Sequence, residues 1–251
     1  MKYFSFFPIA RDLNLIAFTL ILAFTFSCQT PQPEPNKPEK TAAEYSDLVT
    51  LFKDWRTFEN PPLHEVAPDY RKTTFEKRLP EFKRLQGLLM EMDTAGWSIP
   101  EQVVYRIVWA EMNGYDFNHR ILKPWEQDPA YYTSIWTERS DVPAHEGPTH
   151  HGLLELWQDT VPLDQASSEK FKKELEAIPT LNTQAETNLT GNAKELWAAG
   201  IPSIAQQTSD LQNMLALPGV AEDAELVKLI TDAKNSTAEF VAWLEKEAPS
   251  K

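Results

Sequence analysis

YRIVWAEMNGYDFNHRILKPWEQDPAYYTSIW, residues 105–136, decides how this chain folds. Just upstream, Ser98-Ile99-Pro100-Glu101 is a capping box with proline in the first turn, and Val104, Ile107, Val108 and Glu111 follow at helical spacing. A residue that precedes proline is driven out of helical geometry, so Lys123 before Pro124 predicts that this helix ends around residues 118–122. Asp128-Pro129 then predicts a second, short helix through Trp136.

The pattern continues outward in both directions. Tyr45, Leu48, Val49, Phe52 and Trp55 mark a first amphipathic helix, which Pro61 and Pro62 end. Phe75, Leu79, Phe82, Leu85, Leu88, Leu89 and Met92 line one side of the next, with Pro80 expected to kink or split it. Residues 167–178 and 181–189 read as two helices separated by Pro179. Asn192 with Glu195 reads as a second capping box opening a helix over residues 193–215, and residues 222–246 form the last. No alternating strand pattern, heptad or internal repeat stands out. The expected fold is all-α, a mostly antiparallel bundle of seven or eight helices.

The amino terminus differs in kind. Lys2 and Arg11 flank aromatic residues, and an apolar run over residues 13–26 leads to Ser27 and Cys28, the only cysteine. The run is shorter than a membrane span needs, so residues 1–27 read as a lipoprotein signal peptide with Cys28 as the lipidation site. The alternatives are a signal anchor and a buried thiol. Residues 28–41, with Pro31, Pro33, Pro35 and Pro38, read as an extended tether. Residues 42–251 form the helical domain, held by its lipid at a membrane of the bacterial cell envelope, on the periplasmic or extracellular side.

With 24 basic and 37 acidic residues the chain carries a formal charge of -13; removing Lys2, Arg11 and Asp12 with the signal leaves 22 against 36, or -14. Nucleic acid is excluded as a partner, because phosphate binding needs a basic surface. No Gly-x-Ser-x-Gly elbow and no Gly-rich phosphate loop occurs. Glu111 is a lone carboxylate on an amphipathic helix, better suited to an interhelix hydrogen bond than to general base work. No catalytic residue is assigned.

Two constellations remain. His145, Glu146, His150 and His151 lie in a Gly/Pro-rich loop over residues 140–152, but Thr149 stands where a second helical ligand four positions on would be, so no metal site is assigned. Asp116 and Arg120 are four apart and face one another on a continuing helix. With Trp125, Asp128 and Tyr132 they are the ligand-binding candidates. In one version Arg120 binds a carboxylate, such as a peptide terminus, between aromatic walls. In the other, the same residues fasten one helix end to the next.

The phrases AEMNGYDFNHRILKPW, DPAYY, SDVPAHEGPT, LTGNAKELW and FVAWLEKEAPSK together resemble the amino-terminal half of the bacterial family called domain of unknown function 885. That resemblance implies secreted or lipid-anchored helical zinc peptidases, whose zinc motif, of His-Glu-x-x-Pro-Gly-His type, lies beyond the position of Lys251. It implies that this chain forms one wall of a substrate cleft, holds no cofactor itself, and needs a downstream catalytic segment for zinc and hydrolysis. The alternative is a non-catalytic lipoprotein that binds a ligand or protein. A lone half of a larger fold is also expected to expose an apolar patch above the roughly 300–600 Å² usual for a monomer.

Overall fold

The computed structural model describes residues 41–138 and 154–251. The segment expected to be a signal peptide, Cys28, the proline run and the histidine loop lie outside the described residues. From Ala42 onward the chain is one compact unit.

The fold is all-α. Among the described residues six long helices form it: α1 Tyr45–Glu59, α2 Lys72–Glu91, α3 Ile99–Phe117, α4 Gln165–Asn188, α5 Lys194–Met214 and α6 Ala224–Glu247. Six replaces the expected seven or eight for two physical reasons. Pro179 does not divide α4, because the helix is held along its length against α6. Residues 129–136 form no α-helix; they form a 3-10 turn, Pro129–Tyr132, and a two-residue strand, Ile135–Trp136, paired in parallel with Leu154–Glu155. A second small pair joins Leu63–His64 to Ala67–Pro68 in antiparallel fashion.

Pro80 does not split α2 either. It sits on the exposed face, where solvent can hydrogen-bond the carbonyl its ring frees. The capping box at Ser98 forms as expected: its main-chain N–H and its hydroxyl both donate to Glu101, at 2.8 and 2.7 Å. The one expected at Asn192 does not form, since α5 starts a residue later with Ala193 at its cap and no side chain capping it.

Three apolar clusters make the core. The first joins α1, α2 and α3 through Leu48, Trp55, Phe82, Leu85, Leu89, Met112 and Tyr115. The second packs Trp125, Tyr131 and Tyr132 against α4, α5 and α6 through Leu181, Trp197, Ile204 and Phe240. The third closes the far end of those helices around Phe171, Leu211 and Ile230. The segment after α3 therefore belongs to the α4–α6 bundle, and the boundary between the first two clusters falls where α3 ends.

Candidate functional site

A cleft of about 350 Å³ opens at that boundary. One wall is α2, which contributes Phe75, Arg78, Leu79 and Phe82; these lie at i, i+3, i+4 and i+7 and so share one face. The opposite wall is the end of α3 with Tyr115 and Asp116, followed by His119, Arg120 and Trp125; Phe58 at the end of α1 closes one side.

The end of α3 is irregular in a way that shapes this wall. Asn118–Leu122 is a π-helical turn, closed by the Lys123 N–H donating to the Asn118 carbonyl at 2.7 Å. Lys123 adopts a left-handed conformation, φ 46°, because Pro124 bars it from the right-handed helix. Pro124 then opens the single helical turn Pro124–Gln127, which carries Trp125 down onto Phe75, ring centroids 4.9 Å apart.

The floor is aromatic throughout. His119 stacks on Tyr115 with centroids 3.7 Å apart, Tyr115 packs on Phe82 at 5.0 Å, and Phe75 meets the His119 ring edge-on at 5.0 Å. The Tyr115 carbonyl can only accept, so the His119 Nδ1 at 2.9 Å carries the proton and Nε2 is the acceptor of the neutral ring. Burial keeps that ring neutral, pushing its pKa down to about 4, and raises the Tyr115 phenol to about 12.

The charges are unequally paired. Arg120 grips Asp116 with two nitrogens, Nε at 2.7 Å and Nη2 at 2.5 Å, and Lys83 adds a third contact at 2.9 Å. The Arg120 hydrogen bonds, with the Lys83 contact, hold the Asp116 carboxyl down at about 2. Arg78 has a different environment. Its Nη2 donates to the main-chain carbonyls of Phe58 and Asn60, and no carboxylate of the described residues pairs with it. Half-burial depresses its pKa, so its charge is costly where it stands. Around the cleft Lys72, Arg78, Arg120 and Lys123 outnumber Glu76 and Asp116, on a chain whose overall charge is -13.

The fold has a counterpart among solved structures. A candidate lipoprotein of unknown function from Shewanella oneidensis superposes with a TM-score of 0.56 and 16% identity over 83% of this chain. The chain spans 38% of that protein's length. At this identity the likeness is one of fold. No family model matches the chain, so domain of unknown function 885 stays a resemblance carried by the quoted phrases. No curated protein matches it.

Of the five ligand-binding candidates, Asp116, Arg120 and Trp125 line the cleft, and Asp128 and Tyr132 stand behind it. Asp128 caps the 3-10 turn, its Oδ1 accepting from the Ala130 N–H at 2.9 Å, and burial raises its pKa. Tyr132 is fully buried; its hydroxyl donates to the Trp125 carbonyl at 2.7 Å and accepts from Asn188 Nδ2 at 2.9 Å. Tyr132 thus fastens the Trp125 turn to α4. Sequence reasoning missed Arg78 and Phe75. The signal for Arg78 was present: it is a cation set inside the apolar stripe of Phe75, Leu79 and Phe82.

Among the described residues no group of His, Cys, Asp and Glu is arranged to hold a metal ion, and no helix is long and apolar enough to cross a membrane. Glu111 accepts from Trp55 Nε1 at 3.1 Å and from Arg56 Nη1 at 2.8 Å, which ties α3 to α1.

Proposed function

We propose that the chain is a lipid-anchored binding protein whose cleft takes a small organic anion with an apolar body, such as a peptide ending in a free carboxylate after an aromatic residue. One observation carries this reading: Arg78 is a half-buried guanidinium that no carboxylate of the described residues pairs with, set at the edge of an aromatic floor. A planar guanidinium suits a carboxylate, and the desolvated wall strengthens the attraction. Arg120, already held by Asp116, orients the rim and is not the anion's main seat. The excess of cations at the mouth draws an anion against the acidic surface elsewhere.

The test is titration of the full chain with acetyl-phenylalanine and with its carboxamide, read by calorimetry and by the fluorescence of Trp125 and its neighbours. The acid should bind at least tenfold more tightly than the amide. Equal affinities, or no binding of either at millimolar concentration, would sink the reading.

The anchor is Cys28, in the bacterial envelope. This part of the proposal rests on the leader sequence and on the description of the Shewanella neighbour as a candidate lipoprotein. Cys28→Ser should move the chain from the membrane fraction to the soluble one; an unchanged distribution would remove the anchor.

A second reading draws on the share of the neighbour that the fold occupies. With 38% of that chain covered, the same cleft serves as one wall of a larger hydrolase-like body, and zinc and catalysis come from a further segment. Metal-dependent peptide hydrolysis by the 251-residue chain alone would refute it.

A further inference from the structure

Helix α3 is apolar on two opposite sides. Tyr105, Val108, Met112 and Tyr115 face the core. On the far side stand Ile99, Val103, Ile107 and Phe117, exposed by 73, 52, 55 and 50%, and Ile121 of the π-turn continues the row at 56%. At about 100° per residue these five, with Ala110 and Gly114, fall within an arc of roughly 90°. No ionisable side chain lies inside that arc. A helix face of this length turned to water ordinarily carries charge.

The row is self-complementary when reversed. Turned end for end about Ala110, Ile99 comes opposite Ile121 and Val103 opposite Phe117, while Ile107 comes opposite Asn113, one position from Gly114. The missing side chain of Gly114 leaves open space, with nothing within 4 Å of where a Cβ would stand, and the branched Ile107 fits such a notch. At the rim Arg106 of one copy comes opposite Gly114 of the other, and the antiparallel arrangement opposes the two helix dipoles favourably.

We propose that this face docks a second copy of the chain, α3 against α3, antiparallel about a two-fold axis at Ala110. The size is adequate for a reversible dimer. Taking about 200 Å² for a fully exposed large apolar side chain, the five residues offer roughly 600 Å² per copy. The pair then buries about 1,200 Å², the lower edge of the range for specific interfaces. The dissociation constant is expected in the micromolar range, and the cleft, walled by α2 and by Tyr115 and Asp116 on other sides of α3, lies outside the docking arc.

The experiment is sedimentation equilibrium of the full chain in a mild non-ionic detergent, from about 1 to 100 μM. The wild type should pass from monomer to dimer across that range, and Ile107→Glu should weaken the dimer at least 100-fold with unchanged circular dichroism. A second measurement uses disulfide cross-linking on a Cys28→Ser background. Ala110→Cys should link to itself, and Val103→Cys should link to Phe117→Cys more readily than either links to itself. Lys228→Cys, exposed on α6, should not link. A wild type that stays monomeric at 100 μM, an Ile107→Glu variant that dimerises equally well, or cross-linking no better at Ala110 than at Lys228 would overturn the proposal. So would a Cys28→Ser monomer that co-sediments with phosphatidylglycerol vesicles and loses that binding in Ile107→Glu, which would assign the face to lipid.

Discussion

The guanidinium carbon of Arg78 sits 4.4 Å from the centre of the Phe58 ring, while the same side chain donates to the Phe58 carbonyl. Phe58 thus holds Arg78 by ring and main chain together, and neither contact neutralises its charge. Arg78→Met keeps the stem that packs on the α2 face and removes the charge. For a ligand seated by its carboxylate the affinity should fall about 10- to 100-fold, the worth of a charge-assisted pair. Arg120→Met should cost less than Arg78→Met, because Asp116 already occupies Arg120. Calorimetry with acetyl-phenylalanine checks both. The reverse order of effects would move the anion seat to Arg120.

His119 makes stability depend on pH with a definite sign. Its pKa is pushed down by burial to about 4 from 6.5, so between those values the unfolded chain binds a proton that the folded chain refuses. The contribution is complete above about pH 6.5 and lost as pH falls toward 4, with an upper bound of about 3 kcal/mol. Glu174 has the opposite sign. Burial raises it from 4.5 to about 7, so the stability it contributes is lost as pH climbs through that interval. Urea unfolding at about pH 5 and pH 7 should show a smaller acid loss in His119→Gln than in the wild type. Glu174→Gln should show a gain at the higher pH. An acid loss in His119→Gln equal to that of the wild type would mean that its ring is not kept neutral by burial.

Two glycines should respond to alanine in opposite directions. A Cβ on Gly200 would stand 2.8 Å from the Ala130 nitrogen and 3.0 Å from the Pro129 Cβ, so α5 would have to back away from the 3-10 turn. Gly200→Ala should therefore cost about 1–3 kcal/mol. Gly87, inside α2, has nothing within 4 Å of that position, and Gly87→Ala should gain about 0.5–1 kcal/mol from helix propensity. Thermal unfolding reads both; a neutral Gly200→Ala would show that the contact is slack.

The helices were legible because their signals are local. The Ser98 capping box, the apolar spacing from Tyr45 to Trp55 and the Pro124 stop each depend on residues within a turn or two. Pro179 misled because its effect on α4 depends on α6, which packs along it from some fifty residues away in the chain. The site was half legible for the same reason. Asp116 and Arg120 are helical neighbours and pair as their spacing says. Arg78 acquires its meaning from Phe58 and the end of α3, which only the tertiary fold brings to it. Tyr132 looked like a wall residue, since its aromatic character is plain in sequence and its bond to Asn188 is not.

The π-turn at Asn118–Leu122 holds one residue more than a regular helical turn of the same span. Everything after it is therefore phased by that surplus. Deleting a single residue there would restore an ordinary α-helix and rotate the chain by about 100°. The Trp125 turn would swing away from Phe75, and the two halves of the core would lose their shared seam. In the vocabulary of gene change, the segment tolerates substitution far better than it tolerates a one-codon deletion, and the reading length of those five positions is itself a determinant of the cleft.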